Sequence, residues 1–183
     1  QDPDVILVGE VRDEDTATMA FRAAMTGHQV YSTLHTNSAI GAIPRLMDIG
    51  IVPDILAGNI IGIVAQRLIR RLCKHCKQPY DASAAELRML GMQPGQSRTL
   101  YRAVGCDHCD YQGYKGRIAI MEILKMDGEL DEMIAHRATA RELHNAAVTR
   151  GFRTLADDGL RRVADGSSTL DELMRIVDLT DRM

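Results

Sequence analysis

The first 34 residues alternate short apolar runs with one amphipathic segment. Residues 5–8 are continuously apolar between Asp4 and Gly9, which is typical of a fully buried strand in a parallel sheet. Asp13 is a candidate N-cap, Gly27 a candidate helix terminator, and residues 30–34 a second strand. The apolar positions between the caps fall on one helix face: Ala17, Ala20, Phe21, Ala24 and Met25. The pattern therefore predicts a βαβ unit, in which ligands bind at the carboxyl ends of the strands.

The rest of the chain is predicted to hold more helices than strands. A helix is expected over residues 38–49, starting late or kinking because Pro44 lies inside it. A second helix is expected over 53–63, an extended segment over 66–72, and a strand over 116–124. Three or four short helices are expected between residues 130 and 178. Capping boxes support them at Thr139 with Glu142 and Thr169 with Glu172, and a weaker one at Thr154 with Asp157.

Composition narrows the class of protein. The 183 residues are 45% hydrophobic and 26% charged, which predicts one large or two small packed domains. The net charge of −3 gives no basic footprint for nucleic acid. The longest apolar run, residues 55–65, is interrupted by Asn59 and falls short of the ~20 residues that a bilayer requires. We find no signal peptide and expect a cytosolic location. Because the chain opens on Gln1 directly before a strand, we expect a fragment cut inside a domain.

The four cysteines form two knuckles. They lie at Cys73, Cys76, Cys106 and Cys109, in a segment (residues 73–115) whose texture predicts a small separate module. Two Cys-x-x-Cys turns supply a tetrahedral four-sulfur set, which favours a structural Zn²⁺. Another metal, a redox pair, disulfides or free thiols are the alternatives, and disulfides fit poorly with a cytosolic chain. His75 and His108 lie inside the knuckles, either as substitute ligands or as surface residues.

Polar residues follow both predicted strands at their carboxyl ends. Glu10 follows the first strand, where it could orient or deprotonate a water molecule, and His35 follows the second. Arg12 supplies positive charge close by, and Thr36 belongs to a polar rim. This combination suits phosphoryl transfer, although each residue alone would more simply be a solvated or structural one. His28 precedes the second strand, so we expect it at the opposite end, packing on a helix terminus or reaching a neighbouring subunit.

Six segments resemble the secretion ATPases that drive type II secretion and type IV pilus assembly, the GspE/PilB superfamily. DPDVILVGEVRD (2–13) is similar to that family's Walker B region, and TGHQVYSTLHTN (26–37) to its His box. QRLIRRLC (66–73) with the paired Cys-x-x-Cys resembles the run into its metal-binding subdomain, and GYKGR (113–117) with Glu122 resembles the segment leaving it. Residues 151–159 and 166–173 resemble its C-terminal helices. The tetracysteine module indicates the assembly and secretion branch.

The resemblance implies a fold, an activity and partners. The expected fold is α/β: residues 1–72 are the second half of a RecA-like core, 73–115 an inserted tetracysteine zinc module, and 116–183 a returning strand with a C-terminal helical subdomain. The expected protein is a hexameric ATPase using ATP and Mg²⁺, peripheral at the inner membrane of a bacterium. Its expected partners are an inner-membrane platform protein and cytoplasmic assembly proteins, with no nucleic acid.

The resemblance also implies roles for single residues. Glu10 would be the Walker B catalytic glutamate, with Arg12 supporting the charge of the site. His35, with His28 and Thr36, would contact nucleotide phosphates or the neighbouring subunit.

Two departures from the usual nucleotide-binding motifs bear on activity. Gly9 stands where the usual Walker B form has Asp, a feature the family shares, and no G-x-x-x-x-G-K-[ST] sequence occurs in the 183 residues. We therefore expect this chain alone to be inactive. The alternatives are a zinc-ribbon interaction module without enzymatic activity and a RecA-like nucleic-acid motor, for which the basic cluster at Arg67, Arg70 and Arg71 offers one argument. We interpret that cluster as a solvated strand edge facing an acidic partner or subunit.

Overall fold

The computed structural model describes residues 3–180, so Gln1, Asp2 and residues 181–183 lie outside the described part. The fold is α/β, with six strands and eight α-helices in that part. In chain order they are β1 (Val5–Val8), α1 (Glu14–Met25), β2 (Gln29–Ser32), α2 (Ala42–Ile49), α3 (Pro53–Leu56), β3 (Gly62–Leu72), β4 (Gln78–Asp81), α4 (Ala84–Met89), β5 (Thr99–Arg102), β6 (Tyr114–Lys125), α5 (Gly128–Ala135), α6 (Ala140–Thr149), α7 (Leu155–Ala164) and α8 (Leu170–Met174).

The predicted βαβ unit is confirmed. Strands β1 and β2 pair in parallel, with Val5 opposite Gln29 and Val8 opposite Ser32. Helix α1 connects them, and the side chain of its N-cap Asp13 accepts a hydrogen bond from Thr16 N at 2.8 Å. Gly27 follows the helix with φ +97°, a conformation that glycine adopts without strain.

The predicted full burial of β1 is wrong. Ile6 and Val8 are half-buried, whereas Val5 is 55% exposed and Leu7 is 78% exposed. Side chains alternate across a strand, so Ile6 and Val8 share one face of β1 and Val5 and Leu7 share the other. Among the described residues, only the face with Ile6 and Val8 is covered. A continuous apolar run does not reveal whether other elements will pack against both faces of the strand.

The helix predicted over residues 53–63 is confirmed only for its first turn. Helix α3 ends at Leu56, and Gly58 follows with φ +76°. The Asn59 side chain donates to Ile55 O at 2.9 Å, which satisfies a carbonyl at the helix end. Strand β3 then begins at Gly62. The predicted segments 66–72 and 116–124 lie within β3 and β6, which form a two-stranded sheet.

Four helices occupy the C-terminal region, as the sequence predicts, and α2 starts late, at Ala42, with Pro44 in its first turn. Complete capping boxes form at Thr139 and Thr154. At Thr169 only half of the predicted box forms, because the hydroxyl accepts from Glu172 N while the Glu172 carboxylate binds elsewhere. No helix within residues 3–180 is long and apolar enough to cross a bilayer.

The chain divides into two compact units. The first comprises Gln1–Ala65 and Ile123–Phe152, and the second Gln66–Glu122 and Arg153–Met183. The first unit has a core between α2, α3, α5 and α6, built on Ile43, Leu56, Leu130 and Ile134. The second unit contains the tetracysteine segment with α7 and α8, and it buries Ile69, Leu100, Val163 and Leu173. The division at residues 72 and 115 stays a prediction.

Candidate active site and metal centre

Glu10, Arg12 and His35 converge at the carboxyl end of the parallel β1–β2 pair. The strands end at Val8 and Ser32, so the residues after them share one edge. Glu10 Oε1 accepts from Arg12 Nη2 at 2.6 Å, and Glu10 Oε2 lies 3.2 Å from His35 Nε2. The structure therefore brings together three residues that the sequence placed at two separate strand ends.

Contacts with Arg12 and His35 keep the Glu10 carboxylate ionised. The hydrogen bond from Arg12 is the largest influence on the pKa of Glu10 and lowers it, and the contact with His35 lowers it further. A carboxylate with a lowered pKa is a poor proton acceptor at neutral pH. It remains a good hydrogen-bond acceptor, so this geometry suits orienting a water molecule better than deprotonating it.

His28 and Thr36 make further contacts. His28 immediately precedes β2, at the opposite end of the strand from His35, as the chain order predicts. Its Nδ1 lies 3.1 Å from Ala23 O and 3.2 Å from the Thr26 hydroxyl, beside the C-terminus of α1. The Thr36 hydroxyl donates to Ser38 O at 3.0 Å. Their predicted roles toward nucleotide or a neighbouring subunit stay predictions.

The four cysteines form one cluster. All four Sγ atoms lie within 4.8 Å of one another, and the four thiols are free. The separations are 3.9 Å for Cys73–Cys106 and 3.8 Å for both Cys76–Cys109 and Cys106–Cys109. A tetrahedral zinc site with Zn–S bonds of ~2.3 Å places its sulfurs ~3.8 Å apart. These three separations match the spacing of a four-thiolate site and are far beyond the ~2.05 Å of a disulfide.

Backbone amides donate hydrogen bonds to two of the four sulfurs. Gly105 N donates to Cys76 Sγ, and both Cys106 N and Gly113 N donate to Cys109 Sγ, each at 3.3 Å. Burial raises the pKa of the Cys76 thiol and brings that of Cys106 to about 12. Burial also raises the pKa of Cys109, but the amide hydrogen bonds and the contacts with Cys76 and Cys106 outweigh it and bring that pKa to about 7. A thiolate is the form that binds a metal, so the loops favour the ligand state at Cys109.

The knuckle histidines stack on each other. The rings of His75 and His108 lie 4.1 Å apart, centroid to centroid, and both residues are exposed. The four-sulfur set is complete without them, which supports the interpretation of both as surface residues. The second knuckle is followed by Asp110 (φ 51°) and Tyr111 (φ 59°), an uncommon left-handed pair for non-glycine residues. This turn carries the chain back to Gly113, whose amide reaches Cys109.

An ion pair between Arg70 and the buried Glu172 in the second unit was not predicted from the sequence. Arg70 donates from Nε (2.8 Å) and Nη2 (2.5 Å) to Glu172 Oε2, and from its backbone N (3.0 Å) to Oε1. Its guanidinium also lies 4.2 Å from the centroid of the Tyr114 ring. The interpretation of Arg70 as part of a solvated strand edge is therefore wrong. In the sequence, Glu172 lies three positions after Thr169, which indicates only a capping role. That spacing does not predict a partner 102 positions away.

The family model for "Type II/IV secretion system protein" matches residues 1–175. Among curated proteins, the chain is 47% identical over 176 residues to "Type II secretion system protein E" of Pseudomonas aeruginosa, covering 96% of this chain and 35% of that protein. It is 46% identical over 178 residues to "Type II secretion system ATPase E" of Vibrio cholerae, with the same coverage. It is 44% identical over 176 residues to "Type IV pilus assembly ATPase PilB" of Thermus thermophilus, covering 95% of this chain and 20% of that protein.

Solved structures share the fold. The pilus retraction motor PilT with bound ADP superposes with a TM-score of 0.65 at 26% identity, over 97% of this chain and 40% of that one. The ATPase DotB of Legionella pneumophila superposes with a TM-score of 0.62 at 21% identity, over 95% of this chain and 38% of that one. The chain thus spans between a fifth and two fifths of the length of these proteins.

Proposed function

Because the chain belongs to the type II/IV secretion system protein family, we propose that it is the C-terminal part of a hexameric ATPase. The full-length protein would couple ATP hydrolysis to type II secretion or type IV pilus extension. The β1–α1–β2 unit would belong to a RecA-like core. The observation that carries the proposal is the convergence of Glu10, Arg12 and His35 at the carboxyl edge of the parallel strands.

The residues of this chain would divide the chemistry between them. The ionised Glu10 accepts a hydrogen bond from the attacking water and orients it toward the γ-phosphate. Arg12 and His35 contact the Glu10 carboxylate, and their side chains, 70% and 85% exposed, would remain accessible to phosphate oxygens or a neighbouring subunit. His28 and Thr36 would serve nucleotide or subunit contacts.

Magnesium does not find its usual ligand here. Gly9, where the usual Walker B form has Asp, carries no side chain, and the 183 residues include no phosphate-binding P-loop sequence. We therefore assign no step through Mg²⁺ to this chain, and we propose that the chain alone does not hydrolyse ATP. Saturable phosphate release from the purified 183-residue chain, above the rate of a Glu10→Gln version, would contradict this.

Zinc would hold the tetracysteine segment together. The sulfur spacing and the amide hydrogen bonds fit a structural ion with four protein ligands and no open position. Its contribution would be to stability, because the segment 73–115 has few buried apolar residues of its own.

The enzyme proposal is tested by phosphate release from the full-length hexamer. Glu10→Gln keeps the size of the side chain and removes its charge, so we expect kcat to fall by at least ~10²-fold with nucleotide binding retained. Glu132→Gln is the matched control. Glu132 is exposed on α5, so this variant makes the same chemical change away from the strand ends. Full activity of the Glu10 variant would refute the proposal.

The setting proposed for the enzyme is the cytoplasmic face of a bacterial inner membrane. Its partners there would be a membrane platform protein, cytoplasmic assembly proteins and further copies of itself. Co-purification of the full-length hexamer with a membrane platform protein tests the secretion setting. Salt-dependent DNA binding by that hexamer would instead favour a nucleic-acid motor.

A further inference from the structure

The parallel ladder between β1 and β2 changes register just beyond the strands. Gln29 N donates to Asp4 O, and the pairing runs in step as far as Val8 opposite Ser32. In an unbroken parallel ladder with this register, the next donor to Thr33 O would be the amide of Glu10. The donor is instead Val11 N, at 2.8 Å.

The segment that follows β1 therefore contains one extra residue relative to the segment that follows β2. Gly9 and Glu10 together stand opposite Thr33, which is the arrangement of a β-bulge. Bulges re-aim side chains, and this one acts on Glu10. Ile6 and Val8 face the covered side of the pair, so strict alternation would send Glu10 to that side as well. The extra residue breaks the alternation at Glu10, and the Glu10 carboxylate contacts the exposed side chains of Arg12 and His35.

Thr33 holds both ends of the bulge. Its backbone carbonyl accepts from Val11 N, and its side-chain hydroxyl donates to Gly9 O at 2.8 Å. The residues on either side of Glu10 are thus bound to one residue of the neighbouring strand end. That same residue lies two positions before His35, so it ties the two polar groups to a common point.

We propose that Thr33 is a positioning residue of the strand-end site: its hydroxyl keeps the Gly9–Glu10 bulge in the form that aims the Glu10 carboxylate at the site. The inference rests on the proposed role of Glu10 in ATP hydrolysis. In this proposal, Thr33 contacts neither the attacking water nor the γ-phosphate. Its hydroxyl acts through the backbone of Gly9, whereas Arg12 and His35 contact the Glu10 carboxylate directly.

The test uses the full-length hexamer with three threonine variants. Thr33→Val keeps the β-branched shape and the backbone carbonyl but removes the hydroxyl, whereas Thr33→Ser keeps the hydroxyl. Thr149→Val is the matched control, because the Thr149 hydroxyl also donates to a backbone carbonyl, Ala146 O at 2.7 Å, at the end of α6. Phosphate release gives kcat and KM, a fluorescent ATP analogue gives nucleotide affinity, and circular dichroism gives Tm.

We expect kcat of Thr33→Val to fall on the order of 10-fold or more, since small displacements of a catalytic group are costly, with KM and nucleotide affinity within about twofold. Thr33→Ser should recover most of the rate, and Thr149→Val should match the wild type. The inference is overturned if Glu10→Gln abolishes turnover while Thr33→Val keeps it, or if Thr33→Ser and Thr33→Val are equally slow. Activity retained by Glu10→Gln overturns the proposed function, and the inference with it.

Discussion

The Arg70–Glu172 pair predicts a large and unequal response to substitution. The Glu172 side chain is 5% exposed and accepts three hydrogen bonds from Arg70, whereas the Arg70 side chain is 38% exposed. Removing one member of a buried pair costs about 3–5 kcal/mol because the other charge stays buried. Since water still reaches Arg70, we expect Glu172→Gln to lower the free energy of unfolding by about 3 kcal/mol, the lower end of that range.

Urea denaturation of the zinc-loaded chain, followed by circular dichroism, measures this loss. Hydrogen exchange measures the free energy of opening of each unit separately. We expect Glu172→Gln to lower it only in the second unit. Glu129→Gln provides the control, since Glu129 is 58% exposed and pairs with Arg150 at the surface. An exposed pair of this kind contributes about 0–1 kcal/mol.

A double variant separates the ion pair from general packing. Replacing both partners by apolar residues of similar volume is often neutral or stabilising, so Arg70→Met/Glu172→Met should be more stable than Glu172→Gln alone. A loss from Glu172→Gln no larger than that from Glu129→Gln would refute the reasoning. It would mean that solvent, and not Arg70, sets the environment of Glu172.

Three further results are expected. By elemental analysis, the wild-type chain should bind about one zinc ion, and Cys109→Ser should lose it because a closed site needs four ligands. An unchanged metal content in Cys109→Ser would show that Cys109 is not a ligand. Gly159→Ala should lower stability by about 1–3 kcal/mol in thermal melting, because its Cβ would lie 2.2 Å from Leu173 Cδ1. Gly128→Ala, whose Cβ meets nothing within 4 Å, should differ from wild type by less than ~0.5 kcal/mol, and equal melting of the two glycine variants would count against the close approach of Gly159 to Leu173. Burial raises the pKa of Glu172, but the hydrogen bonds from Arg70 outweigh it and leave that pKa below its ordinary 4.5. The pair's stabilisation should therefore be complete above about pH 4.5 and be lost as pH falls further, so wild type should lose more stability on acidification than Glu172→Gln, and parallel pH profiles would contradict this.

Local patterns in the sequence were sufficient for much of the fold. The βαβ unit follows from an apolar run, a helical face and the caps at Asp13 and Gly27, and each of these acts within about a dozen residues. The cysteine cluster was equally predictable, because two Cys-x-x-Cys turns constrain their own geometry. Glu10 and His35 could be placed at one edge since parallel strands end on the same side of a sheet.

Other features depended on contacts that local patterns do not encode. The apolar run over residues 53–63 fits a helix or a strand, and pairing of β3 with β6 decided for a strand beginning at Gly62. The apolar run of β1 did not reveal that Val5 and Leu7 would be exposed among the described residues.

The sequence by itself determined the elements whose signals are local: the βαβ unit, the helix caps and the two cysteine knuckles. Only the tertiary structure decided which partner each polar group found. Arg70 met Glu172 across 102 positions, and Thr33 met both neighbours of Glu10 across a register change. The physical reason is that a hydrogen bond depends on distance and direction in space, to within a few tenths of an ångström, and those are set when separate segments pack together.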